Sequence, residues 1–135
     1  MKWLSLICIV LFLFPIFEYK VKAETFTFAA LGDIGTKSAS TKSLQLIKDK
    51  NLNFTLALGD MSYNDVTPES AWCNYVKNIV GSNHPFELIA GNHEDDGKVN
   101  GYIMNFTSCL PDRLNSVGIY GAEYYFDYPA NNPTA

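Results

Sequence analysis

Three apolar runs, each halting at a glycine followed by a polar side chain, constrain this chain more than any other feature. They are residues 25–31, 53–58 and 86–90, and they stop at Gly32-Asp33, Gly59-Asp60 and Gly91-Asn92. Each run is strand-length and rich in β-prone residues. Pro85 helps set the start of the third, because the residue before a proline is pushed out of the helical region. The first run is nearly continuous in apolar residues, which predicts a strand buried on both faces. Glycine at each exit permits a tight strand-to-loop turn and a close approach of backbone or ligand.

The segments between the runs carry helical signals. Residues 38–50 open with Ser and Thr as candidate N-caps, place Leu44 and Ile47 on one face, and stop at Asn51. The next helix is predicted to open with Thr67 as its N-cap and Pro68 at the first helical position. Trp72, Tyr75, Val76, Ile79 and Val80 then form one apolar face, ended by Gly81. Such a stripe is a core face. Strand, helix, strand, helix, strand predicts parallel strands joined by right-handed crossovers. All three carboxyl ends then share one rim of the sheet, where open α/β folds place their ligands. Asp33, Asp60 and Asn92 are therefore expected to converge. Further on, residues 102–106 read as a short helix over that rim, and 124–128 as a fourth strand stopped by Pro129.

The first 23 of the 135 residues read as a signal peptide rather than as part of the fold. A short positive start precedes the apolar stretch 3–17, and Val21-Lys22-Ala23 suits a signal peptidase. The stretch is shorter than the ~20 residues of a bilayer span, so no stable membrane anchor is expected after cleavage. The remainder, residues 24–135, is read as one domain, exported to the extracellular space or the periplasm. It carries seven Lys and Arg against thirteen Asp and Glu, a net charge of −6 without basic clusters. That balance argues against a nucleic-acid partner or an anionic membrane. Two cysteines remain, Cys73 and Cys109, and the sequence leaves open whether they pair. Asn53 and Asn105 each begin a glycosylation sequon. His84 has no companion and reads as structural.

Carboxylates with an amide oxygen make a hard, oxygen-rich donor set that suits Mg, Mn, Fe or Zn. One carboxylate can bridge two ions, and such a pair can hold a phosphoryl group. Tyr63 lies three residues past Asp60, where its phenol can turn back from the same loop, and His93 adjoins Asn92. Each feature alone is commoner as a turn, a packed ring or a surface histidine. Two Gly-Asp turns and a Gly-Asn-His-Glu turn, each closing an apolar strand, are not a chance set.

Gly32-Asp33-Ile34-Gly35, Gly59-Asp60-Met61-Ser62-Tyr63 and Gly91-Asn92-His93-Glu94 resemble the first three motifs of the calcineurin-like metallophosphoesterases. The position of Tyr63 is similar to the purple acid phosphatase branch. The resemblance implies the N-terminal half of a four-layer α/β sandwich with mostly parallel sheets. It implies two metal ions, Fe(III) plus a divalent Zn, Mn or Fe. Asp33 would bind the first, Asp60 would bridge both, Tyr63 would be the phenolate on Fe(III), and Asn92 would bind the second. His93 is implied as the proton-donating catalytic residue, with Glu94 orienting its neighbours from behind the ligands.

The family completes its site with three later histidines, one alone and two in a Gly-His-x-His motif. This sequence has only His84 and His93 and contains neither motif. The expectation is a domain truncated on its C-terminal side, with weak metal binding and little turnover. The function expected of the scaffold is metal-dependent hydrolysis of small phosphate monoesters. The alternatives are a phosphodiesterase or nucleotidase on the same scaffold, or a non-catalytic remnant that binds phosphate or a partner. Substrate and oligomeric state are not legible.

Overall fold

The computed structural model describes residues 25–63, 65–94 and 102–130. The expected leader, residues 1–23, lies outside the described residues. The chain runs β1 (Phe28–Leu31), α1 (Ser38–Asp49), β2 (Phe54–Ala57), α2 (Glu69–Val80), β3 (Phe86–Leu88), α3 (Tyr102–Cys109), β4 (Val117–Ile119) and β5 (Glu123–Tyr125). The first three strands form a parallel sheet in the order β1-β2-β3. Consecutive parallel neighbours joined by a helix are what the alternating pattern demands.

The helices cover one face of this sheet. Leu44 and Ile47 of α1 and Trp72, Cys73, Val76 and Val80 of α2 join Ala57, Phe86 and Leu88 in one buried cluster. Trp72 is fully buried, and its indole Nε1 donates to the Gly35 carbonyl at 3.1 Å. That bond ties α2 to the loop leaving β1. The opposite face is aromatic. Phe28 stacks on Phe54 at 5.1 Å, and Phe126 and Tyr128 close over Phe54 from the C-terminal segment.

Several sequence expectations are corrected. The first strand is not buried on both faces: its burial alternates, and Phe28 is 50 % exposed. A strand with one neighbour in its sheet, covered by helices on one face, leaves every second side chain open. Neither Ser nor Thr caps α1; Lys37 occupies the N-cap without a side-chain bond. The Ser40 hydroxyl is drawn instead to the Ile34 carbonyl, and Thr41 bonds the Lys37 carbonyl. Pro68, not Thr67, is the N-cap of α2. The third strand ends at Leu88; the Ile89 amide still donates to the Ala57 carbonyl at 3.0 Å, and Ile89 bridges Gly121.

The C-terminal elements also differ from expectation. No strand covers 124–128; a shorter one, Glu123–Tyr125, pairs antiparallel with β4 in a separate two-stranded sheet. Gly118 and Gly121 both have positive φ, at 122° and 87°, and make the tight ribbon possible. The helix α3 is longer than the expected 102–106, and its Ile103 and Thr107 lie against Gly121, whose carbonyl accepts the Ala90 amide just before the turn after β3. Phe106 of the same helix is buried edge-on against Trp72 at 5.3 Å, which seats α3 on α2. A disulfide joins Cys73 of α2 to Cys109 at the end of α3, with Cα atoms 6.0 Å apart. No helix among the described residues is long and apolar enough to cross a membrane.

Candidate metal centre

The exits of β1 and β2 run side by side beyond the strands themselves. The amides of Asp33, Ile34 and Gly35 donate to the carbonyls of Gly59, Asp60 and Met61 at 3.3, 2.9 and 2.6 Å. Each aspartate is followed by an anchor: Ile34 and Met61 are buried while Asp33 is exposed and Asp60 is half-buried. The apolar residue pins the turn, and its neighbour is left on the rim. The backbone cost is visible, because Asp33, Asp60 and Tyr63 all have positive φ, at 53°, 55° and 51°. Non-glycine residues in this region cost of order 1 kcal/mol each and concentrate at functional sites.

The turn after β3 meets the turn after β2 without clearance. A Cβ on Gly59 would collide with the Gly91 backbone, and one on Gly91 would collide with the Asp60 carboxylate and amide. Glycine at both positions is a packing requirement. Glu94 then locks the two turns together from inside. It is 4 % exposed, and its carboxylate accepts the amides of Asp60 at 2.7 Å, Met61 at 2.8 Å and Gly91 at 3.0 Å. A carboxylate that accepts three backbone N–H groups holds a fixed geometry.

The Tyr63 hydroxyl lies between the two aspartates. It bonds the Asp33 carboxylate closely and reaches Asp60 Oδ2 at 3.1 Å. The bond to Asp33 leads in raising the phenol pKa above its usual range, with desolvation and the bond to Asp60 behind it. One phenolic proton holding two carboxylates together has the chemistry of a cation site, since a cation can take the place of that proton. The His93 ring packs against Tyr63 at 4.5 Å between centroids, and the His93 amide donates to Asp60 Oδ1 at 3.2 Å. Asn92 follows Gly91 at the same rim and is exposed.

The residues expected to converge therefore fall into two groups. Tyr63 touches Asp33, Asp60 and His93, His93 also bonds Asp60, and Glu94 stands behind them. Asn92 is carried to the rim by the same turn. Cys73 and Cys109 belong to the helix layer. His84 is half-buried at the foot of β3, where its Nε2 bonds the Thr55 hydroxyl at 2.8 Å, so it is structural. Sequence reasoning overlooked Asp65, which accepts the Thr36 amide at 3.0 Å and closes the loop after Tyr63 onto the loop after β1. Its place two residues beyond Tyr63 was the available signal. With Asp33, Lys37, Ser40 and Tyr63 it lines an open cleft of about 340 Å³ beside the site.

Carboxylates and a phenol at the carboxyl rim of a parallel α/β sheet define a class of protein, one whose fold offers oxygen donors to cations. The calcineurin-like phosphoesterase family model matches residues 26–133, and the chain belongs to that family. Its mixed α/β architecture, a parallel three-stranded sheet with three helices, is consistent with a fragment of the metallophosphoesterase fold. Membership implies metal-dependent phosphoester hydrolysis, and the family generally binds two metal ions. Comparison with curated proteins and with solved structures returned no match. Among the described residues no group of three or more His, Cys, Asp or Glu side chains is arranged to hold a metal. The donors brought together are two carboxylates and a phenol, which fit a hard cation by their chemistry.

Proposed function

We propose that this chain carries part of an acid-phosphatase-type phosphomonoesterase of the purple acid phosphatase branch, exported and acting on small phosphate esters. The observation that supports this reading is the Tyr63 hydroxyl between Asp33 and Asp60. Asp33 and Tyr63 would hold Fe(III), Asp60 would be shared, and Asn92 would serve a divalent Zn, Mn or Fe. When bound, two such ions would supply positive charge to a phosphoryl group and an activated water.

The chain's own residues prepare the rest. Glu94 fixes the amides of Asp60, Met61 and Gly91, and with them the backbone that carries the Asp60 carboxylate. The His93 amide holds the other Asp60 oxygen, which sets the imidazole beside the phenol. From there His93 would donate a proton to the leaving alkoxide, a general-acid role open to an imidazole beside the ligands. Export is supported by the leader-like residues 1–23 and by the Cys73–Cys109 disulfide, since such bonds persist in oxidising compartments.

Titration of the purified chain with Fe(III), followed by visible absorption, tests the branch. A phenolate-to-iron band that forms in the wild type and is lost in Tyr63→Phe is the expected result. Tight iron binding with no band, or a band that survives Tyr63→Phe, would overturn it. A second reading starts from the fact that, among the described residues, no three His, Cys, Asp or Glu side chains are arranged to hold a metal. It is a non-catalytic domain that binds phosphate or a partner. That reading predicts phosphate binding without added metal, unchanged by Asp60→Asn.

A further inference from the structure

On the sheet face away from the helices, the middle of β3 carries a buried acid. Glu87 is 1 % exposed, and its Oε2 has no hydrogen-bond partner. Its Oε1 accepts the Arg113 amide at 3.1 Å. Strand alternation explains the placement: Phe86 and Leu88 point into the helix-side cluster, so Glu87 points the other way, under the segment that follows α3. A buried carboxylate with one oxygen unpaired is costly as an anion and much less so as the neutral acid.

The groups facing it give no countercharge. Asp112, Tyr120 and Tyr124 come from the covering segment, and the charges of Glu87 and Asp112 raise the Tyr124 pKa after burial. The Arg113 guanidinium turns outward to the Ser82 carbonyl at 2.9 Å. From β2 the register places Leu56 opposite Glu87. Asp112 is itself committed as an anion, accepting the Leu114 amide at 2.9 Å and the Ser116 amide and hydroxyl at 2.7 and 2.8 Å. Those bonds outweigh its desolvation and lower its pKa. Burial, with Asp112 beside it, pushes the Glu87 carboxyl up to about 7.

We propose that Glu87 is a proton-locked clasp: as the neutral acid it seats the segment from Leu110 to Gly121 on β3, and its ionisation loosens that seat. The same segment buttresses the metal-centre end of the strand. Tyr120 Oη accepts the Leu88 amide at 3.2 Å and donates to the Leu110 carbonyl at 3.3 Å, and the Ala90 amide donates to the Gly121 carbonyl at 2.7 Å. Gly91 follows directly and abuts Asp60. The clasp is thus tight in acid and slack above neutrality.

The sign is that of a raised acid. The folded state keeps a proton that the unfolded chain releases, so this contribution is complete below the unfolded value of 4.5 and is lost by about pH 7. The test is the urea stability of the wild type and Glu87→Gln across pH 4.5 to 8, taken as a difference so that other groups cancel. Relative to Glu87→Gln, the wild-type folding equilibrium is expected to fall by roughly two orders of magnitude over that range. Parallel curves would overturn the proposal. Should Glu87→Gln fail to fold, amide exchange in the wild type decides. Protection at Ala90 and Arg113, corrected for intrinsic rate, is expected to drop more than tenfold from pH 5 to 8, and constant protection would overturn the clasp.

Discussion

The centre depends on individual residues forced into uncommon states. Asp33, Asp60 and Tyr63 share the left-handed backbone region, and Gly59 and Gly91 have no room for a side chain. Gly91→Ala should therefore destabilise the protein by about 2–4 kcal/mol in urea melts, because the added Cβ must displace Asp60 or its backbone. Glu94→Ala should cost about 3 kcal/mol, since three amides lose their acceptor. Glu94→Gln should recover only part of that, because an amide side chain offers one oxygen where the carboxylate offers two. Equal stability of Glu94→Ala and the wild type would show that the two turns hold themselves. None of this strain is visible as a residue type: Asp and Tyr after an apolar run carry no mark of positive φ beyond the glycines beside them.

Among the elements, α2 joins the sheet-side core, α3 and the loop after β1. Its Trp72 fills the helix-side cluster, meets Phe106 of α3, and bonds the loop after β1. Trp72→Ala should cost about 3–5 kcal/mol by circular dichroism melts, and Trp72→Phe less, with the Gly35 carbonyl left without its indole donor. The disulfide fastens α2 to α3 across a separation of 36 residues. Loop-closure entropy for that length predicts about 4 kcal/mol lost in Cys73→Ser/Cys109→Ser, read as a lower melting temperature. An unchanged melting temperature would mean that the Phe106–Trp72 contact alone seats α3. The helices were legible because their apolar faces repeat at helical spacing. The ribbon β4–β5 was not, since Val117, Ile119 and Tyr125 are exposed and show no core-facing alternation.

At the scale of the whole molecule, a buried acid and a half-buried histidine oppose each other. Burial lowers the pKa of His84, so the unfolded chain takes up a proton first as pH falls below 6.5. Its contribution to stability is therefore present above 6.5 and is lost in acid, the reverse of Glu87. His84 should offset part of the Glu87 slope in the wild type between pH 5 and 7, and His84→Asn should tilt the profile further towards acid stability in the same urea measurement. A tilt towards alkaline stability would show that His84 is not the compensating group. The sequence alone determined the strand–helix alternation, the parallel sheet, the convergence of Asp33 and Asp60 at one rim, and membership of a phosphoesterase family. Those follow from hydrophobic period and local turn chemistry, which act over a few residues and can be read in order. Tertiary structure alone decided that the Tyr63 phenol stands between the two aspartates. It also decided which amides of the two turns Glu94 accepts, that α3 packs on α2, and that Glu87 is sealed without a countercharge. Each depends on which distant segments meet, and no local pattern records that.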